Sequence, residues 1–257
     1  MNKFESVAIQ AAMYAGKLQR NTYQKSKKIH YKGEINLVTD IDLKCEKIIK
    51  RIILKNFPDH SILAEESDEK KTISIYRWII DPLDGTTNFA HGYPVFCVSI
   101  ALEKQGEIIL GVIFDPVKNE LFLARKGRGA FLNGKKIKVS NIDSVTKSLL
   151  VTGFPYDIRE DNNNNNLNYF SKMSLSAQAV RRDGSAALDL AYIACGRFDG
   201  YWELKLSPWD IASGILLIEE AGGKATDISG GKISLNSRTI VSSNGKIHQE
   251  MIDILGK

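Results

Sequence analysis

Trp78-Ile79-Ile80-Asp81-Pro82-Leu83-Asp84-Gly85-Thr86-Thr87-Asn88-Phe89 is the stretch from which the rest of the chain is placed. Trp78, Ile79 and Ile80 read as the end of a buried strand, and Asp81-Pro82-Leu83-Asp84-Gly85 as a tight turn leaving it. Pro82 fixes φ and has no N–H, so the ladder is expected to stop there. Gly85 admits a backbone angle or a close approach that a side chain would block. Such a turn aims two carboxylates and the Leu83 carbonyl at one point, the kind of ligand set that hard cations such as Mg²⁺ take. Thr86 and Thr87 add hydroxyls, and the Gly85 and Thr86 N–H groups could hold a phosphate. Asp and Gly are also ordinary turn residues, and a D-P or D-G pair alone is commonly no more than a turn. A D-x-D-G-T pattern would indicate an aspartyl-phosphate nucleophile. The spacing here is D-x-x-D-G-T, which displaces Asp81 and Asp84 from that mechanism and favours direct attack by a metal-activated water.

The chain has 257 residues, enough for one large domain or two closely packed lobes. Its apolar runs are far shorter than a bilayer span and its N-terminus is amphipathic, so a cytoplasmic protein without a membrane partner is expected. Cys45, Cys97 and Cys195 are odd in number and widely spaced, which argues for buried free thiols rather than disulfides or a zinc cluster. The net charge of +5 is modest. Its densest patch, Lys25-Ser26-Lys27-Lys28 with Lys32, reads as a solvated surface that could at most attract an anionic substrate.

Helical spacing of Phe4, Val7, Ala8, Ala11, Ala15 and Leu18 predicts an amphipathic helix over the first twenty or so residues. A second helix follows Thr39 and ends at Phe57-Pro58, and Thr39-x-x-Asp42 resembles a capping box. From the residues alone Asp42 is a cap. Residues 61–64 form a short strand delivering Glu65 and Glu66 to its end. Strands at 95–102, 108–114, 120–124 and 131–139 then make an antiparallel meander, with Gly127 and Gly129 in its turns. The second half alternates: a strand at 148–152, a helix over 185–195, a strand at 200–203, a helix over 208–221, strands at 224–227 and 239–242, and a last helix capped by Asn244. The polar run 161–166, with five consecutive asparagines, is read as a loop without chemistry. Ser207, Pro208 and Asp210 form a helix start signal, so Asp210 has a structural explanation, yet a first-turn carboxylate held rigidly by Trp209 and Ile211 also suits a metal site.

Taken together the motifs resemble the inositol monophosphatase family of Mg²⁺-dependent, lithium-sensitive sugar phosphatases. The resemblance is carried by Ala64-Glu65-Glu66-Ser67, by the Trp78 to Phe89 stretch with residues 94–102, and by Pro208-Trp209-Asp210-Ile211-Ala212 with Glu219-Glu220-Ala221-Gly222-Gly223. Leu37-Val38-Thr39-Asp40 and Arg182-Asp183-Gly184-Ser185-Ala186-Ala187 extend it, whereas residues 156–168 match nothing in it. It implies an α/β fold of the inositol monophosphatase and fructose-1,6-bisphosphatase type, a layered αβαβα sandwich. An α+β lobe over 1–145 would carry most metal ligands, and an α/β lobe over 146–257 would supply Asp210. It implies that Glu65, Asp81, the Leu83 carbonyl, Asp84 and Asp210 bind two or three Mg²⁺, and that Asp42 and Thr86, with Glu65, act on the attacking water. Asp84, Gly85, Thr86, Ala186, Glu203 and Asp210 would hold the substrate. The implied reaction is hydrolysis of myo-inositol monophosphate, with fructose 1,6-bisphosphate, a nucleotide 3′-phosphate or histidinol phosphate as alternatives. A homodimer is implied as well, and some bacterial relatives point to a role with RNA or the transcription machinery beside the phosphatase activity.

Overall fold

A computed structural model describes residues 2–25, 28–31 and 37–256. Seven α-helices are found among them: α1 (Lys3–Thr22), α2 (Asp40–Asn56), α3 (Thr86–Ala90), α4 (Leu167–Ser176), α5 (Ala186–Ala194), α6 (Pro208–Glu220) and α7 (His248–Gly256). Ser26, Lys27 and Lys32 of the basic patch lie outside the described residues.

The alternation of apolar and small residues from Trp78 to Ala124 builds one large sheet. Its strand order is Lys135–Lys136, Gly129–Leu132, Glu120–Arg125, Glu107–Asp115, Cys97–Lys104, Tyr76–Asp84, Ser61–Ala64 and Ser67–Lys70. Every neighbouring pair is antiparallel except Ser61–Ala64 against Tyr76–Asp84. A second sheet is ordered Ala179–Arg181, Leu149–Thr152, Gly200–Leu204, Thr239–Ser243 and Lys224–Thr226, with its first two pairings parallel and its last two antiparallel.

Both sheets are apolar on two faces and so need helices on each side. The stripe Val7, Ala8, Ala11 and Ala15 of α1 and Ile41, Cys45, Ile49 and Ile53 of α2 cover the outer face of the large sheet. Between the sheets lie α5 and α6, apolar along most of their length: Leu188, Leu190, Ala191, Ile215, Leu216 and Leu217 are all buried there. The small residues in this layer permit close packing. A side chain at Gly111 would put its Cβ 2.9 Å from the Ser213 carbonyl oxygen of α6, and Ser99 Oγ of the same sheet donates to Ser213 Oγ over 3.0 Å. Outside the second sheet, α4 and α7 cover Trp202, Val241 and Leu150. The result is five alternating layers, helix–sheet–helix–sheet–helix.

Several expectations need correction. Asp81-Pro82-Leu83-Asp84 does not leave the sheet: the strand runs to Asp84 and meets the next strand through a bulge, with Asp81 opposite Ser99 and Asp84 opposite Cys97. The bulge sets three steps against two, which accommodates the missing N–H of Pro82, and the Pro82 carbonyl accepts from Gln19 Nε2 of α1 over 2.7 Å. Neither α3 nor α4 was anticipated, nor was the strand Ala179–Arg181. The asparagine run ends in the core, since Asn165 and Asn166 are buried. Asn166 donates to the Gly153 carbonyl over 2.6 Å and accepts from Trp202 Nε1 over 2.7 Å. Asn244 does not cap α7. Its Oδ1 accepts from Lys246 and Ile247 N–H in the turn before His248, where the helix begins.

Candidate active site

Register brings the first acids together. Ser61–Ala64 runs parallel to Tyr76–Asp84 with Ala64 opposite Ile80, and Glu65 N–H donates to the Ile80 carbonyl over 3.2 Å. Glu65 and Asp81 therefore emerge side by side at one end of the sheet. Glu66 turns elsewhere, its N–H donating to Glu46 Oε2 of α2 over 2.9 Å. The bulge holds Asp81 with Oδ1 accepting from Leu83 N–H at 2.9 Å. Asp84 is fixed from the other sheet's side: Oδ2 accepts from Ser185 Oγ and from Ala187 N–H, both at 2.7 Å, so it anchors the first turn of α5. Asp210 occupies the third position of α6, where its Oδ2 accepts from Ser207 N–H over 2.6 Å.

These groups face one cavity of about 340 Å³, lined by Glu65, Asp81, Leu83, Asp84, Gly85, Thr86, Tyr156, Lys205, Ser207, Trp209 and Asp210. A second cavity of about 330 Å³ shares Asp84, Gly85, Tyr156, Lys205 and Asp210 with it and continues past Ala186, Glu203, Arg182 and Arg238. Among the described residues no group of three or more His, Cys, Asp or Glu side chains is gathered closely enough to hold a metal ion as it stands. The acids line the cavity from separate walls.

Asp42 lies at the edge of this chamber, fully buried. The capping box is real: Asp42 Oδ2 accepts from Thr39 N–H and from the Thr39 hydroxyl. Its other oxygen, Oδ1, lies 2.9 Å from Thr86 Oγ1, which is also 2.9 Å from the Leu83 carbonyl. One carboxylate thus caps a helix and reaches the site. Gly85, at φ +92°, turns the chain into α3, and the first N–H groups of that helix have no partner within it.

Crowding and burial of the acids move their titration. Burial, then the charges of Glu65, Asp84 and Asp210, hold the Asp81 carboxyl well above the usual range. Asp210 is likewise held well above it by burial, opposed by the Ser207 N–H and reinforced by Asp84, Glu65 and Glu203. Asp84 is raised by burial against the pull of Ser185 and the α5 N–H groups, and Asp42 by burial against Thr39 and Thr86. Glu203, bonded to the Tyr201 hydroxyl, is pushed up to about 7 by burial.

Sequence reasoning missed Tyr156, Asp157, Arg182, Asp189, Lys205 and Arg238, all of which line the wider cavity. Lys205 donates to Asp157 Oδ2 over 2.6 Å and to Asp161 Oδ2 over 2.7 Å, fastening the 156–161 segment beside the acids. It does so at φ +60°, a conformation unusual for a side-chain-bearing residue and without a local sequence signal. Asp189 did leave a signal: it is the one acid within the otherwise apolar helix Ala-Ala-Leu-Asp-Leu-Ala-Tyr-Ile-Ala.

Five alternating layers with acids gathered at strand and helix ends define a class, and comparison with known proteins supplies its identity. The sequence pattern of the inositol monophosphatase family matches residues 1–256. An inositol-1-monophosphatase of Synechocystis sp. is 46% identical over 251 residues, covering 97% of this chain and 87% of that protein. The Nus factor SuhB of Pseudomonas aeruginosa is 40% identical over 258 residues, with coverage of 98% and 95%. Among solved structures, an inositol monophosphatase from Anabaena (Nostoc) sp. superposes with a TM-score of 0.90 at 45% identity, covering 98% of this chain and 95% of that one. The chain belongs to the inositol monophosphatase family, and its reaction class is hydrolysis of a phosphoric monoester. No helix among the described residues is long and apolar enough to cross a membrane.

Proposed function

We propose that this protein is a Mg²⁺-dependent phosphomonoesterase that hydrolyses myo-inositol monophosphate by direct attack of water, using two or three ions, in the cytoplasm. The observation that carries the reading is the meeting of Glu65, Asp81, the Leu83 carbonyl, Asp84 and Asp210 around one cavity. All five donors are oxygens, as Mg²⁺ requires, and burial together with the neighbouring carboxylates raises Asp81 and Asp210, a cost of ionisation that a bound cation would offset. Bound there, Mg²⁺ would neutralise the ester oxygens, acidify a water and stabilise the departing alkoxide.

The chain's own groups divide the remaining work. Thr86 Oγ1, held between Asp42 and the Leu83 carbonyl, is the hydrogen-bonding group that orients the attacking water, with Asp42 receiving proton density through it and Glu65 facing the same chamber. Gly85 and Thr86 N–H groups take phosphate oxygens. The polyol lies in the wider cavity, where Asp84, Ala186, Glu203 and Asp210 face its hydroxyls. Asp81→Asn and Asp210→Asn are each expected to lower phosphate release at saturating Mg²⁺ by at least about a hundredfold; activity close to the parent in both would remove the mechanism. A panel assay including fructose 1,6-bisphosphate, a nucleotide 3′-phosphate and histidinol phosphate ranks the substrates.

A second role is favoured by one observation, the similarity to proteins named Nus factor SuhB at 40% identity over nearly the whole chain. We propose that association with RNA or the transcription machinery coexists with hydrolysis. Salt-dependent RNA binding by an active preparation tests this, and light scattering tests the proposed homodimer.

A further inference from the structure

Asp189 is a carboxylate that the fold leaves incomplete. It sits one turn into α5, is 1% exposed, and lines the wider cavity. Its Oδ1 is buried without a hydrogen-bond partner. A buried acceptor in this condition costs stability unless something donates to it. Five such side-chain atoms occur among the described residues, and the two that line this cavity, in Asp189 and Asp157, are both carboxylate oxygens. The apolar neighbours Leu188 and Leu190 belong to the core between the sheets, so an apolar residue at 189 would continue that helix without the cost.

Asp189 is surrounded by groups already turned toward the cavity. Burial and the charges of Asp183, Glu203 and Asp84 raise its carboxyl well above the usual range, with Arg182 opposing. Tyr201, whose hydroxyl is bonded to Glu203, feels the same charge. Beside the donors Arg182, Lys205 and Arg238, the cavity carries the carboxylates Asp84, Asp189 and Glu203, which are acceptors for a ring bearing several hydroxyls.

We propose that Asp189 is a specificity-determining residue whose carboxylate accepts a hydrogen bond from a hydroxyl of the polyol leaving group. This rests on the phosphatase reading above and deepens it, adding a hydroxyl acceptor on α5 to the residues already assigned to the substrate. A site built around an acceptor rejects an ester lacking the donor, because the acceptor is then left unpaired in a closed cavity.

The test compares inositol 1-phosphate with p-nitrophenyl phosphate, which carries no ring hydroxyl, in the parent, Asp189→Leu and Asp189→Asn. Expected is a fall in kcat/KM for Asp189→Leu that is at least about tenfold larger for the polyol phosphate than for the aryl phosphate, expressed mainly in KM. Asp189→Asn, which keeps an acceptor oxygen, should retain most of the preference. Equal losses on both esters, or no loss on either, would overturn the proposal. Should Asp189→Leu fail to fold, Asp189→Ala replaces it in the same comparison: a loss at least about fivefold larger for the polyol phosphate supports the proposal, and equal losses on both esters sink it. If the parent cleaves neither ester, the phosphatase reading falls separately. Binding of inositol 1-phosphate in Ca²⁺ then decides on Asp189 alone, about tenfold weaker binding by Asp189→Leu supporting it and equal binding refuting it.

Discussion

Gly85 shows how narrowly single residues are specified at this site. Its φ of +92° and the 2.8 Å that would separate an added Cβ from the Val95 carbonyl oxygen both forbid a side chain. Gly85→Ala is expected to lower unfolding stability by about 1–3 kcal/mol, measured by urea denaturation, and to depress phosphate release by moving the neighbouring N–H groups. The acids Glu65, Asp81, Asp84 and Asp210 were singled out in the sequence by their motifs, but it is strand register and the bulge, not local pattern, that bring the first three to one cavity. Lys205 was not. Its backbone conformation and its two carboxylate partners, 44 and 48 residues away, are set by tertiary structure. Asp42 was read as a cap from its residues and as a site group from the resemblance, and its two oxygens are divided between those partners.

Elements carry the next level of constraint, and α7 gives a case that can be titrated. His248, its first residue and only 2% exposed, lies 3.0 Å from both Thr226 Oγ1 and Ser243 Oγ. Thr226 Oγ1 also donates to a carbonyl, while Ser243 Oγ accepts from Gly245 N–H. This assigns Nε2–H as the ring donor and Nδ1 as acceptor. Burial, helped by Lys224, lowers the imidazole to about 4 from 6.5. The unfolded chain therefore binds the proton first: stability is full above pH 6.5 and is lost as pH falls from there toward 4. After allowance for screening, about 1–2 kcal/mol should separate pH 7.5 from pH 4.5 in the parent and vanish in His248→Gln. Taking the difference between the two proteins cancels the contribution of the buried acids. The helices flanking the sheets were legible from their apolar stripes, whereas α4 was obscured by the asparagine run before it. Only tertiary contacts reveal that Asn166 is a core residue.

For the whole molecule the cluster of acids is an electrostatic cost spread across both sheets. Carboxyls raised in the folded state favour folding when protonated, so this contribution is present at low pH and is lost as pH rises through their folded values. Mg²⁺ at a hundredfold excess over its Kd should raise the melting temperature by about 5 °C or more at pH 8, with a smaller gain at pH 6. An equal gain at both pH values would contradict the coupling. We propose that the division near residue 145 marks two lobes, since the two large sheets occupy 61–136 and 149–243. The five-layer order itself follows from two-faced apolar sheets, whose strand registers decide which acids become neighbours.

The helix α6 bears Asp210 in its first turn and Glu220 at its last residue, and Glu220 grips the far hairpin through the N–H groups of Gly127 and Gly129, each at 2.6 Å. Pinned at both extremities, this rod of about 20 Å works as a strut. Loosening that grip, as Glu220→Ala would, is expected to let the rod shift along its axis and to disturb the carboxylate at its other end, read as a loss of phosphate release from a change about 20 Å away.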